Sequence, residues 1–206
     1  MTTSPLGDDV LVISGLPRSG TSLVMQVLAA GGVPVLTDGV RGPDAHNPRG
    51  YLELEAVKAT ARDAAWLARA RGKAVKVVLP LLELLPAGPR YRVLLVTRDL
   101  REVALSQARM VGAGDDVVAW TARLGRELDR GRRWLAARPG IPALEVEHGE
   151  LVSWPHEACR RLRAFVGGDL DEVAMARAVD PALHRARPEG RPAGAPVGRA
   201  APCEDT

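Results

Sequence analysis

Eight consecutive residues, Gly15-Leu16-Pro17-Arg18-Ser19-Gly20-Thr21-Ser22, have the types and spacing needed to hold an anion. Two glycines bracket a turn that carries one guanidinium and ends in two hydroxyls. Glycine lets the backbone bend tightly and approach a ligand closely. An apolar run, Val10-Leu11-Val12-Ile13, precedes the turn, and an amphipathic segment starts near Thr21. Strand, glycine-bracketed turn and helix in that order form a phosphate cradle. Loop amides and the first helix amides converge on one spot, where the helix dipole also favours negative charge.

The spacing is that of a P-loop, G-x-x-x-x-G-K-[ST], with Thr21 in the lysine position and Ser22 keeping the hydroxyl. A nucleoside triphosphatase places that lysine on the β- and γ-phosphates. Arg18 is the cation of this loop instead, which points to an anionic ligand other than ATP or GTP. A second constellation closes a later apolar strand: Thr97-Arg98-Asp99, followed by Ser106 two turns into a helix. A guanidinium can form bidentate bonds to a phosphate, and a hydroxyl on the next helix can add another.

PRSGTS after a strand, followed by TRDLREVALSQ at the end of another, resembles the sulfotransferases that use 3′-phosphoadenosine-5′-phosphosulfate (PAPS). The resemblance covers roughly residues 9–184. It implies that Pro17, Arg18, Ser19, Gly20, Thr21 and Ser22 hold the 5′-phosphosulfate of PAPS as co-substrate, and that Arg98 and Ser106 hold the 3′-phosphate. No metal is required. EHGELVSWPHEACRRLRAFVGG is similar to the family's late segment, in which a strand, an acidic dipeptide and leucine precede a helix.

Sulfuryl transfer asks the protein to align its reactants and to stabilise charge on the leaving oxygen, a task for Arg18 and the loop amides. The acceptor hydroxyl or amine also needs a base. Asp38, Glu53, His46 and Glu55 are the candidates. The offset of Asp38 from Arg18 resembles that of the catalytic glutamate in tyrosylprotein sulfotransferases. Glu53, in NPRGYLE, resembles an acidic position of several bacterial members. Asp38 is preferred. The cytosolic branch of the family uses a histidine after its third strand, where this chain has Lys76 and Leu79-Pro80. That branch also closes over its nucleotide with a C-terminal Arg-Lys-Gly segment. Here only Arg185 and Arg187 stand in that region, which leaves adenine recognition unassigned.

The elements that must position these residues follow from the pattern. Strands are expected at 9–14, 33–36, 73–79, 91–97 and 142–146, with helices from Thr21 to Gly31, over 51–71, over 115–138, and over 170–179. Strands separated by helical segments argue for an α/β fold: three layers around a central, mostly parallel sheet of about five strands, P-loop-like in its first unit. The polar stretch 37–50, broken by Gly39, Gly42, Pro43, Pro48 and Gly50, falls at the strand ends where ligands sit in such sheets. One domain is expected over 1–184. The Pro-, Gly-, Ala- and Arg-rich tail over 185–206 is expected to be disordered.

Composition bounds the rest. In 206 residues, 46% are hydrophobic, 26% charged and 3% aromatic, with net charge +3. That is globular, with too few aromatics for a single-strand stacking platform, so nucleic acid is not an expected partner. Cys159 and Cys203 give neither a disulfide framework nor zinc spacing. No signal peptide and no apolar run of membrane-spanning length is present, so a cytoplasmic location without a membrane partner is expected. The expected acceptor is a small molecule or glycan. Rival readings are a nucleotide kinase or triphosphatase with Asp99 as its metal carboxylate, and a non-catalytic nucleotide-binding protein.

Overall fold

The computed structural model describes residues 4–44, 47–111 and 117–180. His46, Arg185, Arg187, Cys203 and the expected tail lie outside the described residues. β1 (Val10–Gly15) runs into the loop and then α1 (Thr21–Ala30). After a 3-10 turn at Glu55–Ala59 come α2 (Leu67–Ala70), β2 (Ala74–Lys76), α3 (Leu79–Leu82) and β3 (Tyr91–Thr97). The chain continues through α4 (Leu100–Val111), α5 (Val117–Ala136), β4 (Ala143–Glu147), α6 (His148–Ser153), α7 (Pro155–Val166) and α8 (Glu172–Ala178).

The four strands form one parallel sheet in the order β2-β1-β3-β4. Alternation along the central strands sends side chains to two separate cores. Leu11, Ile13, Leu94 and Val96 pack with α1, α6, α7 and α8. Val10, Val12, Val93 and Leu95 pack with α2, α3, α4 and α5. The three-layer α/β architecture stands, and burial of both sheet faces explains why β1 and β3 read as unbroken apolar runs. Among the described residues, no helix is long and apolar enough to cross a membrane.

Two expectations are corrected. The sheet has four strands among the described residues rather than five. Residues 33–36 lie along β2 but make only an isolated bridge, Val35 to Ala74. Pro34 lacks the N–H that a ladder needs. The Pro34 carbonyl still accepts from Ala74 N, and Leu36 N donates to the Ala74 carbonyl, both at 2.8 Å. The continuous helix over 51–71 is also absent. Leu52 takes the left-handed conformation at φ 51. Thr60 Oγ1 donates to the Val57 carbonyl at 2.6 Å and accepts from Trp66 Nε1 at 3.0 Å. Asp63 accepts from Ala65 N at 2.9 Å. Side chains that bond the backbone locally compete with the helical ladder, and here they divide it.

Candidate functional site

The C-terminal ends of the four strands open on one cavity of about 310 Å³. The loop after β1 forms its floor. Both loop glycines are there for space. A Cβ on Gly15 would stand 2.5 Å from Ser19 Oγ and 2.5 Å from the Val96 carbonyl oxygen. One on Gly20, at φ 106, would stand 2.5 Å from His148 Cδ2. Arg18 is held left-handed at φ 74, a conformation that non-glycine residues adopt at a cost and that clusters at functional sites. The Ser19 hydroxyl is buried beneath the loop with no hydrogen-bond partner. The cradle is therefore built to its limit, and Gly20→Ala tests it. The substitution should lower unfolding free energy by roughly 1–3 kcal/mol. Gly39→Ala, at φ 69 in open space, carries conformational strain alone and should cost less. Equal losses in Tm for the two variants would remove the steric argument.

The two constellations read from sequence meet. Arg18 Nε donates to Ser106 Oγ at 3.0 Å, and Arg98 Nη1 donates to the Arg18 carbonyl at 3.4 Å. Gln107 Nε2 donates to the Pro17 carbonyl at 2.8 Å, a second tie from α4 to the loop. Glu102, one helical turn after Arg98, accepts from its Nε at 2.8 Å, and both side chains are largely buried. Glu102 thus fixes the direction in which Arg98 presents the rest of its guanidinium. Pro17, Arg18, Gly20, Thr21, Ser22 and Arg98 line the cavity. Ser19 and Ser106 stand behind that wall rather than on it.

Of the described acids, Glu53 lines the cavity and Asp38 does not. Asp38 is exposed, and its carboxylate accepts from Glu55 N at 2.7 Å and Val40 N at 3.0 Å. Those backbone donors hold its carboxyl below the usual carboxylate range. Asp38 thus stands outside the cavity lining and clamps the segment that carries Glu53. Thr37 adds to the clamp, donating its hydroxyl to the Glu53 carbonyl at 2.8 Å. Glu55 is exposed and paired with Lys58 at 2.7 Å.

Lys76, at the end of β2, is the site residue that sequence reading did not assign. Its side chain is 3% exposed. Its Nζ donates to Ser22 Oγ at 2.9 Å, to the Tyr51 carbonyl, and to Glu53 Oε1 at 3.4 Å. The ammonium missing from the loop at Thr21 thus arrives from the neighbouring strand. Burial pushes Lys76 down to about 8, with Glu53 pulling it back up. A lone lysine inside the apolar run AVKVVL was the available signal. Arg41 closes the other side of Glu53, donating to its carboxylate at 3.3 Å while stacking on the Tyr51 ring at 3.5 Å.

Asp99 does not reach the cavity lining. Its Oδ1 accepts from Arg101 N at 2.9 Å and Glu102 N at 3.1 Å, which caps α4. Among the described residues, no group of three or more His, Cys, Asp or Glu side chains is placed to hold a metal ion.

No protein-family model matches the chain, and no curated protein matches it in sequence. Solved structures match it in fold. The sulfotransferase domain of the Synechococcus PCC 7002 olefin synthase gives a TM-score of 0.56 at 18% identity, over 90% of each chain. The mouse sulfotransferase SULT7A1, complexed with PAP, gives 0.55 at 15% identity, over 86% of this chain and 68% of that one. The chain has the fold of sulfotransferase domains.

Proposed function

We propose that the chain transfers a sulfuryl group from PAPS to the hydroxyl of an organic acceptor. One observation carries the reading: Arg18 of the loop and Ser106 of α4 stand 3.0 Å apart, with Arg98 bonded to the Arg18 backbone. The two sequence elements that resemble the phosphosulfate and 3′-phosphate sites are thereby joined into one polar surface. A fold neighbour complexed with PAP supports the same donor. The sterically closed cradle and the buried Ser19 hydroxyl suit an anion held by backbone amides.

PAPS, when bound, supplies the activated sulfuryl group. The protein's own part is placement and charge. The loop amides, Arg18, Thr21 and Ser22 hold the phosphosulfate, and Arg98 holds the 3′-phosphate, with Ser106 behind the wall fixing Arg18. Lys76 and Arg18 meet the negative charge that grows on the leaving phosphate. Glu53 takes the acceptor's proton. A kinase-like reaction through Asp99 finds no support, because that carboxylate caps a helix.

Calorimetric titration tests the donor. Adenosine 3′,5′-bisphosphate should bind in the micromolar range, and ATP with magnesium should not. Arg98→Ala should weaken the bisphosphate by roughly 1–3 kcal/mol, the range for bonds to a charged group. Unchanged affinity in that variant would sink the 3′-phosphate assignment, and preference for ATP would sink the donor.

A further inference from the structure

Strand order divides the cavity. The loop follows β1. Arg98 arrives from β3 and His148 from β4, on one side of that loop. Lys76, Val78 and Leu81 arrive from β2 and α3 on the other side. The segment bearing Leu54 and Val57 belongs to the β2 side as well. Its Tyr51 carbonyl and Glu53 carboxylate are bonded to Lys76. Donor groups thus gather towards β3 and β4, and the aliphatic part of the wall left for the acceptor is Leu54, Val57, Val78 and Leu81, with Asn47, Arg41 and Lys58 beside it.

In that aliphatic part, Leu54 and Val57 are buried, and Val78 and Leu81 are half-buried, although all four border the cavity. Glu53 and Lys76 stand at its foot to engage one hydroxyl, and the side-chain amide of Asn47 is turned to Ser22 Oγ, to which it donates at 3.0 Å. The cations at its rim are engaged: Arg41 with Glu53 and Tyr51, Lys58 with Glu55. A polyhydroxylated acceptor placed here would exchange water for leucine and valine at most of its hydroxyls, and a polar group buried without a partner is strongly disfavoured. A hydrocarbon body gains from the same wall. The Tyr51 ring is buried, with Arg41 over one face at 3.5 Å, and so offers no open face for stacking an aromatic acceptor.

We propose that the acceptor is an alcohol on an aliphatic body, its hydroxyl placed at Glu53 and Lys76 and its hydrocarbon laid against Leu54, Val57, Val78 and Leu81. The proposal rests on the sulfotransferase reading for the chemistry, and on the aliphatic wall alone for the class of acceptor.

The experiment uses the full chain saturated with adenosine 3′,5′-bisphosphate. 1-Octanol, 1-butanol and glucose are titrated by calorimetry, and transfer from PAPS to each is followed by mass spectrometry. 1-Octanol should bind and be sulfated with kcat/KM at least about 10-fold above 1-butanol and about 100-fold above glucose, as apolar pockets discriminate by hydrocarbon contact. Leu81→Asn should reduce the 1-octanol preference roughly 10-fold with bisphosphate affinity unchanged. Val78→Ala, which adds no polar atom, should reduce it by less and guards against a Leu81 variant that fails to fold. Glucose binding or reacting as well as 1-octanol overturns the proposal, as does indifference to chain length. Binding of 1-octanol over glucose with no transfer to any acceptor would uphold the acceptor class and overturn the transferase reading instead.

Discussion

Glu53→Gln should leave the affinity for adenosine 3′,5′-bisphosphate unchanged and cut transfer from PAPS roughly 10²–10⁴-fold, the range for loss of a positioned base. The substitution keeps the shape of the side chain and removes its charge. Shape matters because the carboxylate is gripped from two sides, by Lys76 at 3.4 Å and Arg41 at 3.3 Å. Both can donate to an amide oxygen, so the segment should stay in place while proton acceptance is lost. The control is Asp38→Asn. Asp38 faces solvent and bonds two backbone amides, so its variant should lose less than about 10-fold through a loosened clamp. A larger loss at Asp38 than at Glu53 would return the base to the exposed position and empty the cavity argument. Steady-state rates at saturating PAPS, beside the calorimetric affinity, separate these outcomes.

The contrast between Asp38 and Glu53 shows where sequence stops being informative. Both acids lie near the same polar stretch, and an offset from Arg18 counted along the chain cannot say which one faces inward. That is decided by Leu52 at φ 51, and by Thr37 and Asp38 bonding the backbone of residues 53 and 55. None of these contacts has a period. β1, the loop, α1 and β3 were legible because local rules dictate them: an apolar run buried on both faces, glycines where a side chain cannot fit, and a helix whose first amides need an anion. Arg98 and Ser106 were legible for the same reason, since a strand end and two helical turns fix their separation. Glu102 was visible at i+4 from Arg98, but not as the partner that aims it. The 51–71 segment had helical periodicity and lost the helix to side-chain bonds at Thr60 and Asp63, which act at single positions. Lys76 was visible as a charge in a buried strand. Its partners, Ser22 and Glu53, lie 54 and 23 residues away in the chain.

Lys76→Met should lower kcat/KM roughly 10²–10³-fold, comparable to removing one preorganised donor from developing negative charge. The pH profile gives the sharper test. Lys76 carries its proton below about 8 and loses it above. If the ammonium stabilises the leaving phosphate, wild-type kcat/KM falls as pH rises through that value, because this parameter reports the free enzyme. The limb in kcat should lie higher, since bound donor places negative charge beside the ammonium and favours its protonation. Lys76→Arg keeps the cation at every accessible pH and should lack the limb while retaining part of the rate. Persistence of the limb in that variant would move the titrating group elsewhere. Stability provides an independent reading with a definite sign. Folding depresses the lysine from 10.5 to about 8, so between these values the unfolded chain binds the extra proton and the native state gains as pH rises. Across that window, unfolding free energy of wild type should grow relative to Lys76→Met by roughly 3 kcal/mol, because one proton bound only by the unfolded chain is worth about 1.4 kcal/mol for every pH unit crossed. Taking the difference between the two proteins cancels Cys159 and Tyr91. Burial raises both, to about 11 and about 12, so they act in the opposite direction as pH rises. A flat difference would mean that Lys76 is not buried as an ammonium beside Ser22, and the cation that replaces the loop lysine would have to be sought at Arg18 alone.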